Sequence, residues 1–412
     1  MAFLRFPPAS PSFLYCSVFL YLIFTASFAR AEQPDESESQ VSLQVPYHTK
    51  TGPWGRLQCY KFFLEAPENF TNQFKLPSPV SRWSVPRRIL GELPSFFDSA
   101  GLDPQFVKHL MDPARMTLAG ETAHLFPPAD ELEAMTAEAR AIVYGMLAQH
   151  PGNEFHQYPI FFLTPTVAEW AEGSGLPDHI VEALHHYAYY RGDALAFSDA
   201  PVLMRLARSD AEARMVARKL TRIQTVFARL EVDSSTDMST VLNYWSMGLG
   251  LRRKELEPLL TALTNTQGIH HLDLLHLLPP LSRKFLYSYP GPDLAMMGRL
   301  PDCHWATLNF FNAVSEQHYL DQRLATTAIL ENFDRVNPPY RFGDILMFVT
   351  SDDVARHSCN YVADDLVYTK NGSSLMQPFM LMHLGDLGKL YEMDSQKLQI
   401  VGFRHKRSSN QE

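Results

Sequence analysis

Cysteine is scarce in this chain, with four in 412 residues. Cys16 lies in a segment expected to be removed, leaving Cys59, Cys303 and Cys359, and an odd number excludes a fully paired disulfide scaffold. No extended basic patch is present, and the formal net charge is −9. That balance excludes a phosphate backbone as the main partner, so no nucleic-acid binding is expected. Beyond the first thirty or so residues no apolar stretch is long enough for a bilayer, so no membrane span is expected after that point. No repeat at a fixed period occurs, and no solenoid is predicted. Histidine is not scarce, but His185-His186 and His270-His271, with Asp273 and His276, lack His-x-x-x-His spacing and cysteine ligands. They read as surface and core histidines, and neither a metal nor a cofactor is expected.

What is present begins with an export signal. Arg5, the apolar run Phe13 to Phe28 and Ala29-Arg30-Ala31 match a secretory signal peptide, residues 1–31, cleaved before Glu32. The expected destination is secreted or periplasmic. Tyr15 precedes Cys16 where a lipid-anchoring cleavage site needs a small residue, so no lipid anchor is predicted. The acidic stretch Glu32 to Gln40 reads as a leader. Tyr47 to Pro86 mixes aromatics with prolines and reads as an extended segment lying along another surface, which completes a region spanning 32–86.

Residues 87–290 read as an α-helical domain. Apolar residues three and four apart predict helices over Ala129–His150, Thr166–Glu172, His179–Tyr190, Ala200–Val232 and Lys254–Thr264. Asp130 with Glu133, and Ser209-Asp210, supply starts. The prolines between Leu277 and Pro292 break the pattern and set a boundary at 290. From 291 to 406 the pattern predicts helices over Trp305–Ala313 and His318–Asn332, then strands Ile345–Val349, Ser358–Val362 and Leu366–Thr369. The whole is an α+β fold.

Chemistry concentrates in that last region. Cys303 stands in Pro301-Asp302-Cys303-His304-Trp305, directly before an apolar run that reads as a buried helix. A thiol at a helix start has its thiolate favoured by unpaired N–H groups and the helix dipole, and Asp302 there is a cap. His357 opens a strand that turns at Asp364-Asp365. A two-residue turn pairs Cys359 with Lys370 and Tyr361 with Tyr368, on the face His357 shares. A nucleophilic cysteine needs a base and a group that orients the base, and the hairpin could supply both.

Asp302-Cys303 before an apolar helix, then Arg341-Phe342-Gly343-Asp344-Ile345-Leu346-Met347-Phe348, then His357 leading into a strand and hairpin, resembles the NlpC-type cell-wall cysteine peptidases of the papain-like superfamily. The resemblance runs from Leu300 onward. It implies a papain-like helix-plus-antiparallel-sheet domain in which Cys303 is the nucleophile and His357 the general base, acting on a peptide or peptidoglycan-fragment substrate. The chain departs from the family pattern in carrying His304-Trp305 where Ser-Gly is usual, and Asn360 where an apolar residue is usual, which predicts a less fully buried strand. The third catalytic position falls on Thr369, Lys370 or Asn371: acceptor chemistry favours Asn371 or Thr369, strand parity favours Lys370. Cys359 beside His357 also allows a silencing disulfide to Cys303. Two other functions use the same residues, a catalytically inactive binding or scaffold module and a thiol-dependent acyltransferase.

Overall fold

The structure is a computed structural model that describes residues 45–406 other than 248, 292–293, 295–297, 299 and 392–397. The predicted signal peptide and acidic leader lie outside the described residues. Among those described, no helix is long and apolar enough to cross a membrane.

Helices and antiparallel sheets are mixed along the described residues. Strand β1 (Arg56–Leu64) pairs antiparallel with β2 (Ile223–Glu231) over its full length, from Arg56 opposite Glu231 to Leu64 opposite Ile223. The segment expected to lie extended along another surface thus contributes a central strand. Between these strands, α1 (Ala137–Leu147) and α2 (Asp178–Tyr187) bury Val143, Tyr144, Leu147, Ile180 and Leu184 in one core. Two three-stranded sheets share that region, one built around Thr122–Leu125 and one around Ala194–Phe197. The α-helical domain expected over 87–290 is thus not shown as such, since its helices are mixed with these two sheets and with β2.

Two of the predicted helices divide for visible reasons. Ala129–His150 is two helices, because Met135 adopts extended backbone and Thr136 starts α1 as a fresh cap, its hydroxyl accepting from Ala139 N–H at 3.1 Å. Ala200–Val232 becomes Ala200–Leu206, then Asp210–Lys219 capped by Ser209, then β2. From Val226 onward burial alternates, with Val226, Ala228 and Leu230 inside, which is the two-residue period of a strand. The histidine pairs His185-His186 and His270-His271 are exposed, as is His276.

Downstream, α3 (Cys303–Leu308) and α4 (Gln322–Asn332) pack on a six-stranded antiparallel sheet. Its strands are β3 (Phe333–Val336), β4 (Ile345–Val349), β5 (Ala355–Ala363), β6 (Leu366–Lys370), β7 (Phe379–His383) and β8 (Gln399–His405), in the order β3-β8-β4-β5-β6-β7. Alternation divides the side chains among three clusters, one of which joins Ile345, Met347 and Val349 to Ala325 and Ile329 of α4. Val362, Leu366, Tyr368, Phe379 and Leu381 pack with Trp305 and Phe310. Leu346, Phe348, Cys359, Tyr361, Val367 and Met380 pack under α5 (Leu384–Tyr391). The cluster with Trp305 and Phe310 also contains Leu57, Val226, Leu230 and Trp245, so a continuous apolar interior crosses residue 290. Thr225 donates to Leu381 O at 2.8 Å, and the Tyr287 N–H donates to Phe379 O at 2.7 Å, across the same line.

The Gly343-Asp344 turn sets the entry to β4. Gly343 has φ +84°, a left-handed backbone that side chains resist, and a Cβ there would overlap the Phe311 ring. Asp344 is buried, accepts from Arg341 N–H at 2.7 Å, and takes a two-point contact from Arg404, Nε to Oδ1 at 2.9 Å and Nη2 to Oδ2 at 2.7 Å. Asn360 is also buried, contrary to expectation, with Nδ2 donating to Gly343 O at 3.3 Å.

Candidate active site

The thiol is placed by a short helix. Asp302 caps α3 by accepting from Trp305 N–H at 2.8 Å, and every residue from Cys303 to Leu308 is buried. The helix stops well before the expected Ala313, because Asn309 turns the chain: its Nδ2 donates back to Trp305 O and its Oδ1 accepts from Glu316 N–H at 2.7 Å. Six residues give only a small macrodipole, so the predicted helix-terminus activation is a minor influence. The larger one is imidazole. Burial pushes the Cys303 thiol up, but the nearby imidazoles of His304 and then His357 more than reverse this electrostatically, holding it well below the usual thiol range.

His357 lies in β5 with no solvent exposure. Its Nε2 meets Thr369 Oγ1 at 2.8 Å, and that hydroxyl donates onward to Asn371 Oδ1 at 3.3 Å. A hydroxyl that donates to Asn371 receives from the imidazole, so the proton belongs on Nε2 and the lone pair on Nδ1. Nδ1 is buried and has no hydrogen bond of regular geometry. On one side the ring is covered by Tyr391, stacked at 4.2 Å between centroids and 22° between planes. Burial and the neighbouring Cys303 raise the Tyr391 phenol well above its ordinary value, so it stays neutral.

Of the sequence-predicted residues, the fold brings Cys303, His357 and Asn371 into one connected group, with Thr369 as the direct contact to the imidazole. Lys370 is not part of that chain of bonds. The predicted pairing of Cys359 with Lys370 and Tyr361 with Tyr368 is off by one, because a bulge at Val362 sets Tyr361 opposite Val367 and Asn360 opposite Tyr368. Thr369 therefore takes the place beside His357, and the fully buried Lys370 sends Nζ to Gly372 O at 2.7 Å and Ser374 O at 3.1 Å. Burial lowers its pKa to about 7, although Asp302 and Cys303 act in the other direction.

The remaining thiols are free. Cys59, Cys303 and Cys359 are all unpaired with one another, so the disulfide considered between Cys303 and Cys359 is not formed. Cys359 Sγ donates to Leu346 O at 3.7 Å, and burial raises its pKa well above the ordinary value, with the Cys303 charge adding to this. Cys59 is pushed up to about 12, first by burial. Among the described cysteines, only Cys303 has the surroundings of a reactive thiolate.

Two residues of this site were not singled out for it in the sequence. Tyr391 gave no signal, since nothing local distinguishes it from other aromatics. His304 was visible beside Cys303 but carried no assigned role. Its Nδ1 lies 2.9 Å from Ser358 Oγ, which in turn donates to Thr307 Oγ1 at 3.1 Å. The chemical capacity of the group is that of a thiolate with a base of fixed tautomer next to it. Compared with known protein families, curated proteins and solved structures, the chain matches none of them.

Proposed function

We propose that this is an exported cysteine hydrolase that cleaves an amide or peptide bond, with peptides of the cell wall as the first substrate class to test. The observation that carries this reading is the Cys303 thiol lying beside an imidazole, His357, whose far nitrogen is fixed by Thr369. The resemblance to NlpC-type peptidases, in the order Asp302-Cys303, Gly343-Asp344 and His357, supports the same reading.

In the proposed cycle the thiol proton passes to Nδ1 of His357 and the thiolate attacks the carbonyl carbon. As the tetrahedral intermediate collapses, the C–N bond breaks and the imidazolium returns that proton to the leaving amine. Water then gives a proton to Nδ1, its oxygen attacks the thioester, and the C–S bond breaks to release the carboxylic acid and regenerate the thiol. Thr369 keeps the ring in the orientation these transfers need, and its neutral hydroxyl does so without adding charge.

The test is to incubate purified mature protein with a library of peptide amides that includes cell-wall stem peptides and to follow cleavage by mass spectrometry. A product formed by the wild type, together with an acyl adduct on the peptide containing Cys303, and neither in Cys303→Ala, is the expected result. No product and no adduct with any library member, from protein that retains its fold, would point to a binding module instead.

A further inference from the structure

We infer that His304 is a second functional imidazole of this site, a positioning residue that stands as the fixed countercharge of the Cys303 thiolate while His357 is left to move protons. This rests on the proposed reading of Cys303 as nucleophile and His357 as base.

The geometry separates the two rings by what holds them. His357 is anchored through Nε2 to Thr369 and then Asn371, and its Nδ1 makes no regular hydrogen bond. A proton acceptor must have such a free lone pair. His304 is anchored through Nδ1 to Ser358 Oγ, and Ser358 spends its own proton on Thr307 Oγ1. Ser358 is thus an acceptor toward the ring, which fixes an N–H on Nδ1 of His304. His304 also interacts with the Cys303 side chain by charge and hydrogen bond, and with Nδ1 committed to Ser358 the nitrogen left for sulfur is Nε2. Toward a thiolate, which can only accept, that nitrogen must donate as well, and a ring that donates on both sides is an imidazolium.

The charges around it agree. Burial opposes a charge on His304, but Cys303, through charge and hydrogen bond, and Asp302 raise its pKa to about 9. Facing the site from the packed elements are Asp302 at the cap of α3 and His304 on it, His357, Ser358 and Cys359 on β5, Lys370 on β6 and Tyr391 on α5, with Cys359 kept neutral by burial. Tyr391 stays neutral and Lys370, with its pKa lowered to about 7, is only partly protonated near neutral pH and spends its Nζ on Gly372 O and Ser374 O, so His304 is the cation best placed to balance thiolate and carboxylate. A single imidazole would have to leave its countercharge role each time it gives up its proton. Two imidazoles remove that conflict.

The experiment is the pH dependence of iodoacetamide labelling of Cys303, read by mass spectrometry of its peptide, in wild type, His304→Asn, Ser358→Ala and His357→Ala. Asparagine places an N–H donor near the original Nδ1 and retains the Ser358 contact without a charge. Circular dichroism checks each fold. The expected result is a low thiol pKa in the wild type, raised by at least one pH unit in His304→Asn and less in Ser358→Ala, with a smaller change in His357→Ala. Ser358→Ala, which alters no charge, carries the test if the asparagine variant fails to fold. If His357→Ala raises the thiol pKa and both His304→Asn and Ser358→Ala leave it unchanged, the role assigned to His304 is wrong while the Cys303–His357 pair stands. If wild-type Cys303 titrates like a free thiol, near 8.5, both readings fall together.

Discussion

Nε2 of His357 lies 2.8 Å from Thr369 Oγ1, and the same hydroxyl reaches Asn371 Oδ1 at 3.3 Å. The order of that chain matters: Asn371 acts on the imidazole only through the threonine. Thr369→Val keeps the shape and removes the acceptor. We expect it to lower kcat/KM by about tenfold, the equivalent of about 1.4 kcal/mol for one hydrogen bond lost in a dry site. Asn371→Ala should cost less. Equal or reversed effects in steady-state kinetics would show that asparagine, not threonine, orients the ring.

Tyr391 covers the imidazole, and the thiol itself is only 7% exposed. A substrate approaching His357 from the covered face displaces that ring. Tyr391→Ala is predicted to accelerate iodoacetamide labelling of Cys303 severalfold at a fixed pH, and Tyr391→Phe to leave the rate near wild type, because the effect lies in the stacked ring and not the hydroxyl. A labelling rate unchanged by alanine would mean that the thiol is reached from another side.

Lys370 gives a pH signature of stability with a defined sign. Its pKa falls from 10.5 in the unfolded chain to about 7 in the fold, chiefly through burial. Between those values the unfolded chain binds the proton and the folded one does not, so stability rises with pH, by at most about 1.4 kcal/mol per unit. Below about 7 the penalty is fully present. Lys370→Met should abolish this component, so that the wild-type minus variant difference in denaturant-derived stability climbs across the window. A flat difference would place the ammonium in contact with solvent.

Arg404 and Asp344 form a two-point ion pair, with Asp344 3% exposed. Arg404→Met leaves a buried carboxylate without its partner and is expected to destabilise the fold by about 3 kcal/mol or more. Removing both charges in Arg404→Met with Asp344→Leu should recover part of that loss, the remainder being the Asp344 contact to Arg341 N–H. Urea unfolding of the single and double variants measures both terms, and a single variant within 1 kcal/mol of wild type would show the pair to be dispensable.

Much of the site is local and was legible. A capping aspartate, a cysteine and an apolar run predict a buried helix start wherever they occur, and Asp302 caps α3 as expected. The strand Ile345–Val349 is uniformly apolar and flanked by a glycine turn, and it forms with the bounds anticipated. The turn at Asp364-Asp365 also forms, closing Ala363 against Leu366. By contrast β2 was absorbed into a helix, because an alanine- and arginine-rich helical run precedes it without a proline or glycine to mark the change. Its two-residue alternation from Val226 was present but short.

The sequence by itself determined which residue types stand near the reactive thiol along the chain: an aspartate before it, a histidine after it, and a later histidine on a hairpin. Those choices follow from capping, periodicity and turn chemistry, which act over a few residues. Which side chain holds His357 was decided only in three dimensions. One extra residue at Val362 shifts the pairing by one, and since side chains alternate across a sheet, that single step replaces Lys370 with Thr369. The pairing of His304 with Ser358 and of Tyr391 with His357 likewise joins residues far apart in the chain. Packing of whole elements sets such contacts, and no local pattern encodes them.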